Sequence, residues 1–379
     1  MAVTYDVIVV GGGIVGASAA YHLTRAGVKT LLIDRHDMGR ATDAGAGILA
    51  PEMNGRDPDA WFEFAVQAVG YYPELVARLH EIGAGETSYA QCGMLLVAAT
   101  DDETPAFEDV RRHILARQAK RGAPSTADLH PVDPDEARAL FPPLTKVKGA
   151  LYYRLAARVD GRQITQALHR AANEQGLHTL YGSVDALATQ GDQVIGVRVG
   201  PDTLAAGAVI VAGGAWSPAL GEPLGVRIPV APQRGQIAHL ALPGEPTGDW
   251  SIVGAFHGHY IVPWPDGRVA VGATRETGSG FRTETSAAGV REVLDEALRV
   301  APGLATAQLS EMRVGLRPLP PDGLPVLGSV PGWAGLLLAT GHGPTGLQLG
   351  PFSGRVVAEL AQGNPSPADI SAFGIDRFA

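Results

Sequence analysis

The chain has 379 residues, 45% of them hydrophobic and 18% charged, a balance that fits a globular protein and excludes a disordered or fibrous one. A net charge of −9 without a concentrated basic tract speaks against nucleic acid as a partner. The single cysteine, Cys92, excludes an intramolecular disulfide or a cysteine metal cluster and fits a reducing compartment; no metal is expected.

Val7 to Val10 is a continuous apolar, β-branched run, the pattern of a strand buried on both faces. It runs into Gly11-Gly12-Gly13-Ile14-Val15-Gly16, followed by a helical stretch from Ala17 to Ala26 that Gly27 ends. Val28 to Ile33 is a second apolar strand, closed by Asp34. Gly11 permits a tight turn, Gly13 lets backbone N–H groups approach a pyrophosphate, and Gly16 lets helix and strand pack closely. The phosphates would sit at the positive helix N-terminus. Asp34, eighteen positions after Gly16, can accept hydrogen bonds from ribose hydroxyls. An incidental glycine loop would not carry strand, turn, helix, strand and acid in this order. The unit is a dinucleotide site, and by itself it does not choose between FAD and NAD.

The chain reaches its first strand within a few residues, so no cleavable leader is expected. No apolar run approaches the roughly 20 residues needed to span a bilayer. A cytoplasmic protein without an integral membrane segment is therefore expected, and a homo-oligomer is compatible with it. The basic group Arg111, Arg112, Arg117, Lys120 and Arg121 has helix-like spacing with acids nearby and reads as a solvated face.

Further along, Arg40-Ala41-Thr42-Asp43-Ala44-Gly45-Ala46-Gly47-Ile48-Leu49-Ala50-Pro51 is dominated by small residues, which let backbone lie against a flat ligand. Ile48-Leu49 argues against a fully exposed linker. Ala208 to Ala212 is a strand leading into Gly213-Gly214-Ala215-Trp216, and Gly335 to Thr340 is another leading into Gly341-His342-Gly343-Pro344-Thr345-Gly346. A helix from about Leu347 to Leu360 follows. Three strand-to-glycine transitions can converge at the carboxyl edge of one parallel sheet. Between Pro229 and Thr274, short runs such as Gly235 to Leu240, Tyr260 to Pro263 and Val269 to Ala273 read as antiparallel strands, with Asp266-Gly267 a hairpin turn.

This ordered set resembles the D-amino-acid oxidase superfamily of flavoproteins, in particular the branch holding glycine oxidase, sarcosine oxidase and D-amino-acid dehydrogenases. The resemblance covers nearly the whole chain, through Gly93-Met94, Val159-Asp160, Ala212-Gly213-Gly214, Arg234-Gly235-Gln236, His259-Tyr260-Ile261-Val262-Pro263, Gly272-Ala273-Thr274, Gly315-Leu316-Arg317-Pro318, Asp322-Gly323 and Gly341-His342-Gly343. It implies an α/β plus α+β fold: a discontinuous Rossmann-like FAD-binding domain (1–85, 145–225 and 319–379) and a mostly antiparallel substrate domain (86–144 and 226–318). It also implies FAD held by Gly11, Gly13, Ile14, Val15, Gly16, Asp34, Arg35, Ala41, Thr42, Ala46, Gly47, Ile48, Val184, Gly213, Trp216, His342, Gly343, Pro344, Thr345 and Gly346. Sarcosine oxidases carry a cysteine near the final motifs that bonds the flavin. Cys92 lies far from that place, so non-covalent FAD is expected.

The resemblance makes Arg317 the substrate anchor, because a planar guanidinium can grip a carboxylate through two parallel hydrogen bonds. The competing reading is a structural ion pair. Tyr260 would donate to the same carboxylate; otherwise it is a packing residue on a strand whose alternation puts it on one face with Val262. Arg275 either meets a polar substrate tail or, beside Glu276 and Gly278, belongs to an exposed hairpin end. His342 is expected to line the cofactor rather than act as a base, with the final helix N-terminus favouring negative charge on the reduced ring. Where glycine oxidases usually carry arginine and asparagine, this chain has Pro344 and Thr345, which removes a second pocket cation and weakens an assignment to glycine itself.

The implied reaction is oxidative deamination of a small amino acid (glycine, sarcosine or a D-amino acid) by hydride transfer from Cα to flavin N5, with oxygen or an electron carrier as acceptor. A flavin-dependent 2-hydroxy-acid dehydrogenase needs the same carboxylate grip. A FAD-holding subunit of a hetero-oligomeric amine oxidase would carry the same motifs. A NAD-dependent dehydrogenase would leave the later glycine turns without a role. Pocket size is expected to depend on loops between about Gly55 and Gln91 and between Pro243 and His257.

Overall fold

In the computed structural model, which describes residues 4–55 and 58–378, the apolar β-branched runs form the middle of an eight-stranded sheet. Its spatial order is Ala186–Gln190, Gln193–Val199, Trp333–Thr340, Asp202–Val211, Thr4–Val10, Thr30–Asp34 and His178–Tyr181, with Val326–Val330 on the strand Trp333–Thr340. The last five of that series run parallel to one another. Val7 and Val9 pack under the helices Ile14–Arg25, Asp59–Glu81, Gly161–Glu174 and Gly346–Ala361, whereas Ile8 and Val10 join the cluster on the opposite face. Such two-sided burial, worth about 1.5–3 kcal/mol for each Val or Ile side chain, is why these strands lack polar alternation.

Three expected boundaries move for local reasons. The first helix begins at Ile14, not Ala17, because Gly13 already stands at its N-cap. The second strand begins at Thr30 after a turn through Gly27, whose φ is +78°. The strand expected at 208–212 starts at Asp202, since its first half pairs antiparallel with Gln193–Val199.

A second, nine-stranded sheet is mostly antiparallel. Its order is Glu276–Thr277, Ala231–Ala241, Arg268–Gly272, Tyr260–Pro263, Ile252–Ala255, Met94–Ala98, Gly149–Tyr153 and Leu129–Val132, with Gln308–Leu319 along the other edge of Ala231–Ala241. The Asp266-Gly267 turn joins Tyr260–Pro263 to Arg268–Gly272 in register Tyr260↔Gly272 and Pro263↔Val269. Helix Ala287–Val300 buries Val293, Ala297 and Val300 against one face. The expected boundary at 145 shifts: Gly149–Tyr153 hydrogen-bonds between Met94–Ala98 and Leu129–Val132, inside the second sheet.

The basic run also needs correction. Helix Thr104–Arg121 does present Arg111 and Arg112 to solvent beside Glu108 and Asp109. Arg117 and Arg121, however, stack over the Phe62 ring at 3.7 and 4.8 Å, and Arg121 pairs with Glu52 at 2.7 Å. Their spacing served a tertiary contact invisible in the local pattern. Among the described residues no helix is long and apolar enough to cross a membrane.

Candidate active site

The parallel register brings the three glycine turns together. Val10 lies opposite Val211, and Val211 opposite Leu338, so the chain leaves each strand at nearly the same level. Gly11 has φ +107°, and a Cβ there would stand 2.4 Å from the Ala212 carbonyl oxygen: the first two turns touch through backbone. A Cβ on Gly16 would fall 1.8 Å from the Gly11 carbonyl oxygen, which demands glycine where the helix passes beneath its own turn. No acidic side chain and no side-chain N-cap occupies the start of this helix, although the Ile14 N–H donates to Thr42 Oγ1 at 3.1 Å.

Asp34 is buried at this end. Its Oδ2 accepts from the Gly12 N–H, and its Oδ1 accepts from the His36 N–H at 2.6 Å and from Arg40 Nη1 at 3.3 Å. Part of its acceptor capacity therefore braces the turn, and the rest faces the cleft beside it.

That cleft encloses about 310 Å³ and runs from Asp34 past the small-residue segment to Arg317. Of the residues singled out in the sequence, Gly11, Gly13, Ile14, Val15, Asp34, Arg35, Ala41, Thr42, Ala46, Gly47, Ile48, Val184, Gly213, Trp216, His342, Gly343, Pro344, Gly346, Tyr260, Arg275 and Arg317 line it. Gly16 and Thr345 do not. Gly16 lies under the turn, and the Thr345 hydroxyl donates to the His342 carbonyl at 2.9 Å, closing the last turn from behind. The described residues of 55–91 and 243–257 contribute no wall; Asp59–Glu81 is instead a helix packed against the first sheet. Arg56 and Asp57 lie outside the described residues.

At the far end Arg317 sits on Gln308–Leu319 opposite Gln233, two positions from the Gly235↔Gly315 pair. Its guanidinium lies over Gly235, where a Cβ would come within 2.5 Å of Nη2. Nη1 donates to the Thr274 carbonyl at 2.9 Å and more weakly to Gln233 Oε1 at 3.4 Å. Among the described residues no carboxylate pairs with Arg317, so the structural ion pair is not found. Burial lowers its pKa, opposed by the neighbouring Tyr260, yet a guanidinium stays charged. Tyr260 shares an apolar cluster with Val262, as the alternation required. Burial pushes its phenol up, against the opposing pull of Arg317 and Arg275, which leaves a neutral O–H donor beside the cation.

Arg275 is exposed along one side but lines the cleft, and its Nη1 donates to the Gly258 carbonyl at 2.7 Å. Its neighbour Glu276 is no free hairpin end: it accepts from the buried Arg234 (Nε at 3.0 Å), from Gln236 at 2.6 Å and from the Thr274 hydroxyl at 2.9 Å. His342 is buried, and its Nε2 meets Ser353 Oγ at 2.9 Å on the final helix. Burial lowers its pKa to about 4, so the ring is neutral and fastens the turn to the helix. Cys92 lies outside the cleft lining.

Sequence reasoning missed several wall residues. Arg40, at the head of the small-residue segment, pairs with Asp43 at 2.9 Å as well as with Asp34. Gln348 accepts from the Ala50 N–H at 2.9 Å and so ties the segment to the final helix. Its place two positions past the last glycine turn was the available signal. Gly235 lies within the Arg234-Gly235-Gln236 motif, which carried no assigned role, and Ile237 follows it.

Residues 6–360 match the family model described as FAD dependent oxidoreductase. The chain is 37% identical to the uncharacterized oxidoreductase YurR of Bacillus subtilis over 97% of both chains. It is 31% identical to a glycine oxidase of Pseudomonas aeruginosa, again over 97% of both. The solved structure of iminodiacetate oxidase from Chelativorans sp. BNC1 superposes with a TM-score of 0.92 at 36% identity, covering 97% of this chain and 98% of that one.

Proposed function

Because the chain belongs to the family of FAD-dependent oxidoreductases, we propose that it oxidises the C–N bond of a small amine bearing a carboxylate, such as glycine, an N-methylated glycine or a D-amino acid. The cleft fits the cofactor on its own terms: glycine turns in backbone contact, a helix start without a side-chain cap, and a wall of small residues. FAD would lie non-covalently along Gly11 to Val15, Asp34, Ala41 to Ile48, Gly213 and the His342-to-Gly346 turn, and when bound it supplies the two-electron acceptor.

The observation that carries the substrate half is Arg317, a half-buried cation lacking a carboxylate partner among the described residues and set beside the Tyr260 phenol. Nη2 and Nε are free of the Thr274 contact and can grip a carboxylate side by side. Tyr260 donates a third hydrogen bond. Together they hold the substrate by its carboxylate and fix where its Cα–H points, which is the orientation advantage of a bound near-attack geometry. The amine reacts in its neutral form, whose lone pair assists loss of hydrogen from Cα; the resulting imine is hydrolysed by water to a carbonyl acid and ammonia or an amine. Among the described residues around Tyr260 and Arg317, no carboxylate is posed as a base, and His342 is committed to Ser353. Oxygen or an electron carrier then receives the electrons.

The two relatives with stated activities are named for glycine and for iminodiacetate, both amines with a carboxylate one carbon away. An anaerobic screen for flavin bleaching over glycine, sarcosine, D- and L-amino acids and 2-hydroxy acids tests the reading. Bleaching by amines supports it; bleaching by hydroxy acids alone, or by nothing, rejects it.

A further inference from the structure

Four arginines line the cleft, and they divide into two pairs. At the dinucleotide end Arg35 is paired with Asp37 at 2.5 Å, and Arg40 with Asp43 and Asp34 at 2.9 and 3.3 Å. At the other end Arg317 and Arg275 face the same space, and no carboxylate among the described residues pairs with either. Both acids that line the cleft, Asp34 and Asp37, belong to the first end. Two positive charges therefore share a partly enclosed pocket with nothing to balance them.

Arg275 is also held in place. Its Nη1 donates to the Gly258 carbonyl at 2.7 Å, and the loop is so close that a Cβ on Gly258 would stand 2.6 Å from that nitrogen. The adjacent His257 meets Glu296 at 3.0 Å, which fastens the same loop to helix Ala287–Val300. One edge of the Arg275 guanidinium is thus spent on positioning, while Nε and Nη2 have no hydrogen-bond partner among the described residues. A merely solvated arginine would not need this anchoring.

A substrate with one carboxylate satisfies Arg317 and leaves Arg275 unbalanced beside it. A substrate with two satisfies both, and each new pair forms where water is partly excluded and the charge is worth more than in bulk solvent. We propose that Arg275 binds a second carboxylate, so that the preferred substrate is an amine carrying two carboxylates, one on Arg317 and the other on Arg275. This rests on the reading above that Arg317 holds the first. Two compounds share the chemistry. Iminodiacetate would lose two electrons and two hydrogens to give an imine that water splits into glyoxylate and glycine. An acidic D-amino acid such as D-aspartate would give a 2-oxo diacid and ammonia. FAD takes the electrons in either case, and the products tell the two apart.

The test uses FAD-loaded enzyme and anaerobic flavin reduction with glycine, sarcosine, iminodiacetate and D-aspartate, together with spectral titration of the bound flavin by the non-oxidisable pair malonate and acetate. A dicarboxylate is expected to exceed glycine in kcat/KM, and malonate to bind more tightly than acetate. R275A should lower the dicarboxylate-to-glycine ratio of kcat/KM about tenfold, the loss of one charge-assisted contact at an open edge, with R275K recovering part of it. Equal losses for both substrate classes, or an unchanged ratio in R275A that still binds FAD, would overturn the proposal while leaving the amine-oxidation reading intact. Flavin that no amine in the panel reduces overturns that reading, and this inference with it.

Discussion

Replacing Arg317 by alanine separates a substrate anchor from a structural cation, because the two roles predict opposite patterns. The arginine spends Nη1 on the Thr274 carbonyl and weakly on Gln233, and among the described residues it has no carboxylate partner. Removing it strands no buried anion, so the penalty of about 3–5 kcal/mol for breaking a buried ion pair does not arise. What is lost is one hydrogen bond, about 1 kcal/mol, offset in part because burial already disfavours the charged guanidinium. The melting temperature should fall by about 2–4 °C or less. The substrate, by contrast, loses two charge-assisted hydrogen bonds at about 1.5 kcal/mol each, a total of about 3 kcal/mol or roughly 150-fold in kcat/KM. The assay is steady-state oxidation of the best substrate from the screen, beside flavin content and thermal unfolding of R317A. A normal KM in a folded, FAD-loaded variant would refute the anchor. So would a large drop in melting temperature with parallel loss of flavin, since that is the signature of a structural role.

Tyr260→Phe removes one donor to the same carboxylate and should cost about tenfold in kcat/KM, with the flavin spectrum retained; an unchanged value makes Tyr260 a packing residue. Gly16→Ala puts a methyl 1.8 Å from the Gly11 carbonyl oxygen, a backbone clash that no rotamer relieves, so the variant should destabilise by about 1–3 kcal/mol or more and purify with little flavin; a fully yellow protein with unaltered melting would count against the geometry. His342 has a folded-state pKa of about 4, below its ordinary 6.5, so its contribution to stability is present above pH 6.5 and is lost as the pH falls through the folded value. About 2 kcal/mol should be gone at about pH 5, and His342→Asn should narrow the difference in melting temperature between about pH 7.5 and about pH 5; an equal difference in the variant refutes the assignment, the buried His22 and His239 titrating alike in both proteins.

The sequence was most legible where function demands glycine next to a buried strand. Gly11, Gly213 and Gly341 each follow an apolar strand run, and that combination has few structural meanings. The face of Tyr260 was readable from strand alternation, its pairing with Arg317 only from the family resemblance, and Asp266-Gly267 was readable because that dipeptide favours a hairpin turn. Contacts between distant segments were not readable. Nothing local marks Arg117 and Arg121 as stacking on Phe62, or Gln348 as the acceptor for Ala50, because each needs a partner from another part of the chain. The role of Asp34 was only half legible for the same reason: its spacing from Gly16 pointed to ribose, while the Gly12, His36 and Arg40 contacts depend on how the turn folds back.

The two ends of the cleft are joined through backbone contacts, which bring residues some 300 positions apart in sequence to one space. Strand Gln308–Leu319 carries Arg317, and immediately before it the Leu316 N–H donates to the Gly39 carbonyl at 2.8 Å. Gly39 precedes Arg40, which pairs with Asp34 at the foot of the glycine turn. Gly315 lies against Ala44, close enough that a Cβ would be 2.8 Å from that methyl. The strand that carries Arg317 is thus tied to the segment beside the dinucleotide turn by main-chain hydrogen bonding and close packing, and to the turn itself through the Arg40–Asp34 pair. A displacement of 1 Å in such a site can cost about a hundredfold in rate, so short, stiff connections are what the chemistry requires. The remaining freedom is at Arg275, which hangs from the Gly258 loop on the other side of the pocket. Arg317 is tied to the frame of the glycine turns, whereas Arg275 hangs from a loop outside that frame; if the two arginines each hold a carboxylate as proposed, a change in the Gly258 loop should alter the second grip and leave the first in place.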